Sequence, residues 1–275
     1  TFPEATNTIA TLQTVTNGTT GVSWNIPVAA TLTNTAKIRV IDEANANVFG
    51  DSAAFKLKGG LTLTAPAANA TVTAVSTTNT IGWNFTGGIA TVTVKYDSNS
   101  GKGADNIAGN ADDYPTAIGT KAQTGTSGSS TVNWDLSAAV GGTNTTTVTN
   151  TGRIKIFDAA DPTNVLSTVD VKIGVNFDLT APENGAFCYA EDPCAITWNQ
   201  MAGTGVTDVK IEYTNNDSNA SPTWTELDAA VVKANNGSYT WTPTPGTLAD
   251  LANDNRVRIS QKAPLNTAVV NTGTG

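Results

Sequence analysis

The chain has 275 residues, with 15 Lys or Arg against 23 Asp or Glu, and its net charge of −8 at pH 7 argues against binding to nucleic acid or anionic lipid. It contains no histidine, which excludes His-based catalytic triads and His-ligated metal sites. Hydrophobic residues at 39% suffice for packed cores, while 48 Thr, 28 Asn and only 14% charged residues indicate a neutral, hydroxyl-rich surface.

A two-part pattern recurs along the chain. In residues 1–60, the tryptophan strand Val22-Ser-Trp24 precedes the alternating basic strand Lys37-Ile-Arg-Val40. The same order returns in two further copies, Val132-Asn-Trp134 with Arg153-Ile-Lys-Ile156, and Tyr239-Thr-Trp241 with Arg256-Val-Arg-Ile259. A period of more than about 100 residues has the size of a domain and not of a solenoid repeat.

Two of the three copies also share a first half. Thr64-Ala-Pro66 returns 116 residues later as Thr180-Ala-Pro182, and Ile81-Gly-Trp-Asn84 returns as Ile196-Thr-Trp-Asn199. Residues 1–60 lack this half, so we expect them to be the C-terminal part of a truncated domain whose opening strands lie upstream. We expect complete domains at 61–175, which carries an inserted acidic loop, and at 176–275, which carries a hairpin disulfide.

Apolar and polar residues alternate in all of these segments, as they do in strands with one buried and one solvated face. No segment has helical periodicity, and Gly, Asn and Pro turns separate the strands at short intervals. The sequence predicts an all-β protein of tandem immunoglobulin-like antiparallel β-sandwich domains. We expect Trp83 with Trp134, and Trp198 with Trp241, to face inward from opposite sheets of the two cores. The linkers are too short for free motion, which predicts a semi-rigid rod.

A long insertion after Tyr96 in the middle domain places oxygen-bearing side chains at alternate positions between glycines. Calcium takes about six to eight oxygen ligands, which carboxylates and carbonyls supply. The insertion lacks the terminal Glu of an EF-hand loop and contains Lys102, and its composition also suits an ordinary solvated turn. We expect a calcium site with the ligands Asp97, Asn99, Asp105, Asp112 and Asp113.

The two cysteines, Cys188 and Cys194, lie on either side of Asp192-Pro193, and we expect a disulfide that bridges two strands of a tight hairpin. An even cysteine count in a His-free, Thr-rich chain suits an oxidising compartment. Two reduced and buried cysteines are the alternative. Neither a signal peptide nor an apolar run of the roughly 18 residues that span a bilayer occurs, and we expect the chain to be a portion of a longer mature protein.

Seven Asn-x-Ser/Thr sequons occur, which matter only in a secreted chain. One of them, Asn84, is expected at the end of a core strand. Trp224, in the loosely patterned segment Ser221-Pro-Thr-Trp-Thr225, is the candidate for an exposed platform that stacks on a glycan, although a buried role is the simpler interpretation of the tryptophans. We expect glycosylation at Asn17, Asn69, Asn144, Asn216, Asn219 and Asn236.

Carboxylate pairs offer little basis for an active site. Asp112-Asp113 and Glu191-Asp192 lie in turns instead of on strands that flank a cleft, unlike the acid and base of a glycoside hydrolase. We therefore expect no enzyme. The basic residues of the three alternating strands are expected on outward faces, paired with Asp or Glu on neighbouring strands. A basic stripe that docks the acidic loop of a neighbouring molecule is the alternative.

The third copy resembles a known family. Its segments Ile196-Thr-Trp-Asn199, Val209-Lys-Ile-Glu-Tyr213 and Asn236-Gly-Ser-Tyr-Thr-Trp241 are similar to the immunoglobulin-like repeats of bacterial cell-surface and surface-layer proteins. These repeats are similar in turn to the Ser/Thr-rich wall-protein domain of the fungal Kre9/Knh1 type. The Thr/Asn-rich, acidic, His-poor composition looks nearest to the glycosylated surface-layer proteins of planctomycete-like bacteria.

The resemblance implies a structural segment of a secreted, glycosylated cell-surface protein that associates with itself into an S-layer-like lattice or filament coat. It carries over no catalytic residues, because such motifs specify a fold better than a task. An adhesin or carbohydrate-binding stalk is one alternative, and the accessory β domains of a secreted hydrolase are another. We expect no nucleic-acid partner and no membrane span in this segment.

Overall fold

The computed structural model describes residues 9, 21–73, 79–136, 148–162, 167–202, 205–245, 255–263 and 271–273. Every regular element in these ranges is a β-strand, so the chain is all-β, as the alternation predicted. The predicted immunoglobulin-like sandwich class is confirmed, with two successive sandwiches and a smaller N-terminal copy. Of the predicted sites, Asn17 and Asn144 lie outside the described residues.

The N-terminal copy, residues 21–58, forms two small sheets. Its strands are β1 (Thr33–Ala36), β2 (Arg39–Asp42), β3 (Asn45–Asp51) and β4 (Phe55–Leu57). β1 pairs with β4 and β2 pairs with β3, both antiparallel. The expected strand Val22-Ser-Trp24 has no strand structure. In the next copy the corresponding segment pairs with an Ile-x-Trp strand, and the described part of the N-terminal copy contains no such partner.

The middle module, residues 60–174, is a β-sandwich. Its strands are β5 (Gly60–Ala65), β6 (Ala70–Thr73), β7 (Asn79–Thr86), β8 (Thr91–Asp97), β9 (Thr116–Ala122), β10 (Ser127–Trp134), β11 (Thr149–Asp158) and β12 (Ser167–Gly174). One sheet has the order β10-β7-β5 and the other the order β6-β12-β11-β8-β9. The chain crosses between the sheets after β5, and β6 then adds to the second sheet parallel to β12. This parallel pair departs from the purely antiparallel sandwich that we predicted.

The core of the middle module lies between its sheets. Trp83 and Phe85 alternate with polar residues along β7 and are buried, and Ile154 on β11 is buried opposite them. Trp134 of β10 contacts Tyr96 of the facing sheet, with ring centroids 4.8 Å apart. Fully burying one such side chain is worth roughly 1.5–3 kcal/mol, so this alternation is enough to fix the inward face of each strand.

The C-terminal module, residues 176–273, is a second sandwich. Its strands are β13 (Asn176–Ala181), β14 (Cys194–Ala202), β15 (Asp208–Thr214), β16 (Thr225–Glu226), β17 (Lys233–Ala234), β18 (Ser238–Trp241), β19 (Arg256–Ala263) and β20 (Asn271–Gly273). One sheet has the order β13-β14-β18 and the other has the order β16-β15-β19-β20. The short strand β17 also pairs with β15 in the second sheet. Trp198 and Trp241 are buried in this core. Trp241 contacts Tyr213 of the facing sheet, with ring centroids 5.3 Å apart.

The prediction that the tryptophans of each core come from opposite sheets is wrong. Trp83 and Trp134 lie on β7 and β10, which are neighbours in one sheet, and Trp198 and Trp241 lie on the neighbouring strands β14 and β18. Alternation decides which face of a strand is buried but not which strands pair, because both sheets direct one face inward. The inward partner of the second tryptophan is instead the tyrosine one residue before the end of the facing strand, Tyr96 on β8 or Tyr213 on β15.

Short connections join the three copies. β12 ends at Gly174 and β13 begins at Asn176, and the intervening Val175 is buried in the core of the C-terminal module. At the other junction, Lys58 forms an ion pair with Asp161 of the middle module.

Candidate functional site

The acidic loop, residues 97–113, joins β8 to β9 and is held by its own carboxylates. Asp97 is buried at the end of β8 and accepts hydrogen bonds from the backbone N–H groups of Asn99 and Gly103, both at 2.9 Å. Asp112 accepts from the backbone N–H groups of Ala104 at 2.8 Å and Asp105 at 3.3 Å. A turn leaves some of its backbone N–H groups without a backbone partner, and these carboxylates accept the hydrogen bonds that water would otherwise accept.

The remaining predicted ligands are engaged in the same way. The two oxygens of Asp105 accept from the backbone N–H of Ile107 at 2.8 Å and from the side-chain amide of Asn110 at 2.7 Å. Asp113 accepts from the backbone N–H of Gly109 at 2.6 Å. The side-chain amide of Asn99 donates to the Gly103 carbonyl oxygen at 3.1 Å.

The five predicted calcium ligands therefore do not form one shared site. Their oxygens are directed at different backbone amides of the loop, and across the part of the chain that the structure describes no three Asp, Glu or Cys side chains come together to hold a metal ion. The alternate spacing that suggested calcium instead produces successive turns, in which each acidic side chain caps the amides that follow it. The donor set does not fit a bound calcium ion.

Tyr114 forms the base of the acidic loop. Its ring is buried beneath the ammonium group of Lys155, which lies 4.3 Å from the ring centroid. Burial raises the pKa of Tyr114 and lowers the pKa of Lys155. The loop is also tied to β11, because the hydroxyl groups of Thr149 and Thr151 donate to the Ser98 carbonyl oxygen at 3.1 and 2.9 Å.

The predicted disulfide between Cys188 and Cys194 is confirmed, with the two Cα atoms 5.4 Å apart. Its setting differs from the expected hairpin, since Cys194 begins β14 whereas Cys188 lies in a segment without strand structure. The bridge therefore closes residues 188–194 onto the start of a core strand, within the segment 183–194 that we call the disulfide loop. The backbone N–H of Glu191 also donates to the Pro243 carbonyl oxygen at 2.8 Å.

The disulfide loop presents two aromatic side chains that the sequence reasoning missed. Phe187 is 81% exposed and Tyr189 is 64% exposed. Their ring centroids are 6.3 Å apart and their planes differ by only 20°. The signal was present in the sequence as two aromatic residues at alternate positions around a cysteine. A pair of exposed, nearly parallel rings on a cross-linked loop is a surface that can stack on a flat apolar ligand face.

Trp224, the predicted glycan platform, is half-buried next to β16. One face of its ring is covered by the guanidinium group of Arg258, which lies 4.1 Å from the ring centroid. Arg258 in turn donates a hydrogen bond from Nε to Glu212 Oε2, at 2.7 Å. Trp224 is thus engaged in a cation–π contact with its own sheet.

The predicted cross-strand pairing of the basic residues is present in all three copies. Arg39 pairs with Asp51, Arg153 with Asp170 and Arg258 with Glu212, and in each case the two residues are direct partners on adjacent strands. Lys155 departs from the pattern, because its ammonium group lies over Tyr114.

Glu212 is the most enclosed of these carboxylates, at 6% exposure. It accepts hydrogen bonds from Arg258 at 2.7 Å and from Lys210 at 2.8 Å. Burial alone would raise the pKa of Glu212, but the hydrogen bonds from the two cations outweigh it and hold the pKa below its usual value. The group is a structural ion cluster, in which two cations on one sheet share a single carboxylate.

The described sequons differ in access. Asn69, Asn219 and Asn236 are exposed, while Asn216 is half-buried and its side-chain oxygen accepts from the Thr223 backbone N–H at 2.9 Å. Asn84 lies within β7 on the exposed face. A transferase needs an accessible and deformable asparagine, so Asn69, Asn219 and Asn236 present the better acceptors.

No family model matches this sequence, and no curated protein matches it. Among solved structures, the chain is similar to fibronectin(III)-like modules of Clostridium thermocellum CbhA, at 13% identity and a TM-score of 0.23, covering 77% of this chain and 90% of that one. It is also similar to the calcium-binding domain CBD12 of CALX1.1, at 13% identity and a TM-score of 0.23, covering 73% of this chain and 78% of that one. Neither likeness assigns a function at such TM-scores. Within the described ranges, no helix is long and apolar enough to cross a membrane.

Proposed function

We propose that this chain is a structural segment of a secreted, glycosylated cell-surface protein, and that it associates with further copies of itself into an extracellular, surface-layer-like coat. The observation that carries the proposal is the apolar surface of the β2–β3 hairpin. Val40 is 68% exposed and Val48 is 56% exposed. They share one face of the hairpin, because Val40 pairs with Gly50 and Val48 lies two residues from Gly50 along β3. By contrast Ile156, which occupies the position of Val40 in the middle module, is fully buried. Exposed apolar clusters on soluble proteins mark association sites.

Three further features support a passive, structural role. Tandem sandwiches with short connections keep a fixed repeat direction, and the cross-linked loop suits an oxidising environment outside the cell. The hydroxyl-rich surface suits contact between copies, because charged residues make up only 14% of the chain and the repulsion between copies is weaker than a dense charge of one sign would produce. In the proposed coat, the β2–β3 hairpin of one copy is covered by another copy.

The mass of the chain in solution tests the assembly. Sedimentation velocity should show wild-type mass rising with protein concentration, and a Val40→Thr/Val48→Thr double variant should stay monomeric over the same range. Val232→Thr is the matched control, because Val232 is equally exposed at 70% but lies in the C-terminal module, and it should assemble like wild type. A wild type that is monomeric up to about 100 μM, or a double variant that assembles normally, contradicts the proposal.

Mass measurement of the intact protein and of its peptides, both from the native source, tests the glycosylation. We expect added mass on peptides that contain Asn69, Asn219 or Asn236, since these side chains are exposed. An unmodified mass removes glycosylation from the proposal and leaves the assembly untouched.

A carbohydrate-binding stalk is the second candidate, and the exposed pair Phe187 and Tyr189 favours it. Aromatic rings with nearly parallel planes can stack on the apolar face of a sugar, and the disulfide limits the entropy lost when the loop binds. A glycan array followed by calorimetry should detect binding that Phe187→Ala/Tyr189→Ala abolishes and Trp224→Ala retains. If the Trp224 variant loses binding and the double variant keeps it, the site has been misplaced; no binding to any glycan removes this candidate.

A further inference from the structure

A short segment is repeated at both junctions between the copies. Leu32-Thr-Asn-Thr35 precedes Lys37 in the N-terminal copy, and Val148-Thr-Asn-Thr151 precedes Arg153 in the middle module, 116 residues later. The spacing equals the distance between the two Thr-Ala-Pro landmarks, so the two segments occupy the same position in successive copies.

The backbone around both segments is the same. Thr33 is paired with Leu57 and Thr149 with Ile173, and these partners are also 116 residues apart. A register shift follows each pairing, between residues 33 and 36 and between residues 149 and 152. A β-bulge of this kind bends a strand and redirects the side chains next to it.

The first threonine of each segment fixes the bulge. The hydroxyl oxygen of Thr33 accepts a hydrogen bond from the Thr35 backbone N–H at 3.2 Å, and that of Thr149 accepts one from the Thr151 backbone N–H at 3.1 Å. The two threonine hydroxyls within each copy also lie within hydrogen-bonding distance, at 3.3 and 3.0 Å. The Thr-Asn-Thr sequence therefore locks the backbone immediately after Leu32 and Val148.

The side chain before the bulge is buried in the next module and not in its own. Val148 precedes a strand of the middle module but is 3% exposed within the core of the C-terminal module, in the cluster that contains Val175 and Ile196. Leu32 of the N-terminal copy likewise packs against the core of the middle module. Each side chain thus crosses a junction in the same direction along the chain.

A loop beside each receiving core is also repeated. The loop after β7 contains Gly88-Ile89 and the loop after β14 contains Gly205-Val206, with both glycines at positive φ, +64° and +88°. Ile89 is buried in the first core, and Val206 packs against the second. Leu32 lies over this loop, since a Cβ on the neighbouring Gly87 would be 3.5 Å from its Cδ2 atom. We call the apolar residue before Thr-Asn-Thr the plug, and the receiving Gly-Ile or Gly-Val loop with its adjoining core the socket.

We infer that the socket is a docking surface for the plug of the preceding copy, and that each of the two sandwiches needs the copy before it to complete its core. The second core contains an apolar side chain supplied from outside its own 98 residues, 176–273, so unfolding of the middle module withdraws Val148 from it. The dependence runs one way, from each copy to the one that follows. It is independent of whether the chain associates with other molecules.

Hydrogen–deuterium exchange of the full chain, resolved by peptide, tests this dependence. Val148→Ala should speed exchange about tenfold in peptides of β14, β15 and β19, because removing buried methyl groups lowers the opening free energy of the core that holds them. Peptides of β7 and β8 in the middle module should be unchanged. The matched control is Val169→Ala on β12, which packs against the first core and should act on the middle module only.

Two further variants cover the case in which Val148→Ala does not fold. Thr149→Val removes the hydroxyl that holds the bulge and should speed exchange in the C-terminal module about threefold, while leaving the plug side chain in place. Leu32→Ala should act across the other junction, on β7 and β8 of the middle module. An effect of the Val148 or Thr149 variant confined to β11 and β12, or an effect of the Leu32 variant confined to β1 and β4, overturns the inference.

Discussion

Glu212→Gln isolates the contribution of one enclosed carboxylate. The substitution keeps the shape of the side chain but removes the charge that Arg258 and Lys210 contact at 2.7 and 2.8 Å. Removing one member of a fully buried ion pair costs about 3–5 kcal/mol, but here the cations retain 22% and 27% side-chain exposure and regain some water. We therefore expect a loss of about 2 kcal/mol in the free energy of unfolding.

Thermal unfolding at pH 7 measures this loss. For a module of about 100 residues, 1 kcal/mol shifts Tm by roughly 4–8 °C, so the transition of the C-terminal module should fall by about 8–16 °C. Glu226→Gln is the matched control on the same sheet, because it removes a more exposed pair with Lys262 whose side chains are 21% and 34% accessible. Such a pair is worth about 0.5 kcal/mol, so the control should shift Tm by only a few degrees.

Acid unfolding tests whether the charge of Glu212 causes this loss of stability. The pKa of Glu212 is lower in the folded protein than in the unfolded chain, so its stabilisation is complete above the unfolded value of about 4.3 and is lost as pH falls through the folded value. The gap between wild type and Glu212→Gln should therefore close as pH approaches about 2. An equal gap at pH 7 and at low pH, or a loss no larger than that of Glu226→Gln, refutes the charge-based explanation.

Three more predictions follow from the loops and junctions. Gly59→Ala should destabilise the middle module by about 1–3 kcal/mol, because its Cβ would meet Ile89 Cγ1 at 2.5 Å, whereas Gly50→Ala has open space and should be neutral in the same urea titration. Reducing the disulfide should lower the stability of the C-terminal module by about 2 kcal/mol, the loop-closure value for a separation of six residues, and an unchanged urea midpoint contradicts this. Calcium should not raise the Tm of wild type, and Asp97→Asn should lower it equally with and without calcium, since Asp97 serves two backbone amides; a calcium-dependent rise in wild type alone contradicts this.

Features that depend on neighbours in sequence were predictable. Alternation placed the apolar face of β7 and β11 correctly, because a strand turns every second side chain to the same side. The partner of Arg153 was predictable as an acidic residue, because opposite charges on adjacent strands attract at short range. The disulfide followed from the short separation between Cys188 and Cys194.

Features that depend on distant contacts were not predictable in the same way. Trp134 lies beside Trp83 in one sheet because of the order of the strands, and the alternation of apolar and polar residues does not determine that order. Nothing in the segment around Val148 indicates that its side chain belongs to the following core, although the match with Leu32 was visible in the sequence. The composition of the acidic loop did not distinguish oxygens that bind a cation from oxygens that cap amides, because both uses select Asp, Asn and Gly.

The parallel pair β6–β12 has a mechanical consequence. β6 lies near the start of the middle module and β12 at its end, with Ala70 opposite Val171 and Thr73 opposite Gly174. Tension applied along the chain pulls two such strands in opposite directions along their length, so the hydrogen bonds between them bear load together in shear and do not open one at a time. A pulled module would therefore yield at a higher force than a hairpin of the same length, a property that suits a chain under stretch.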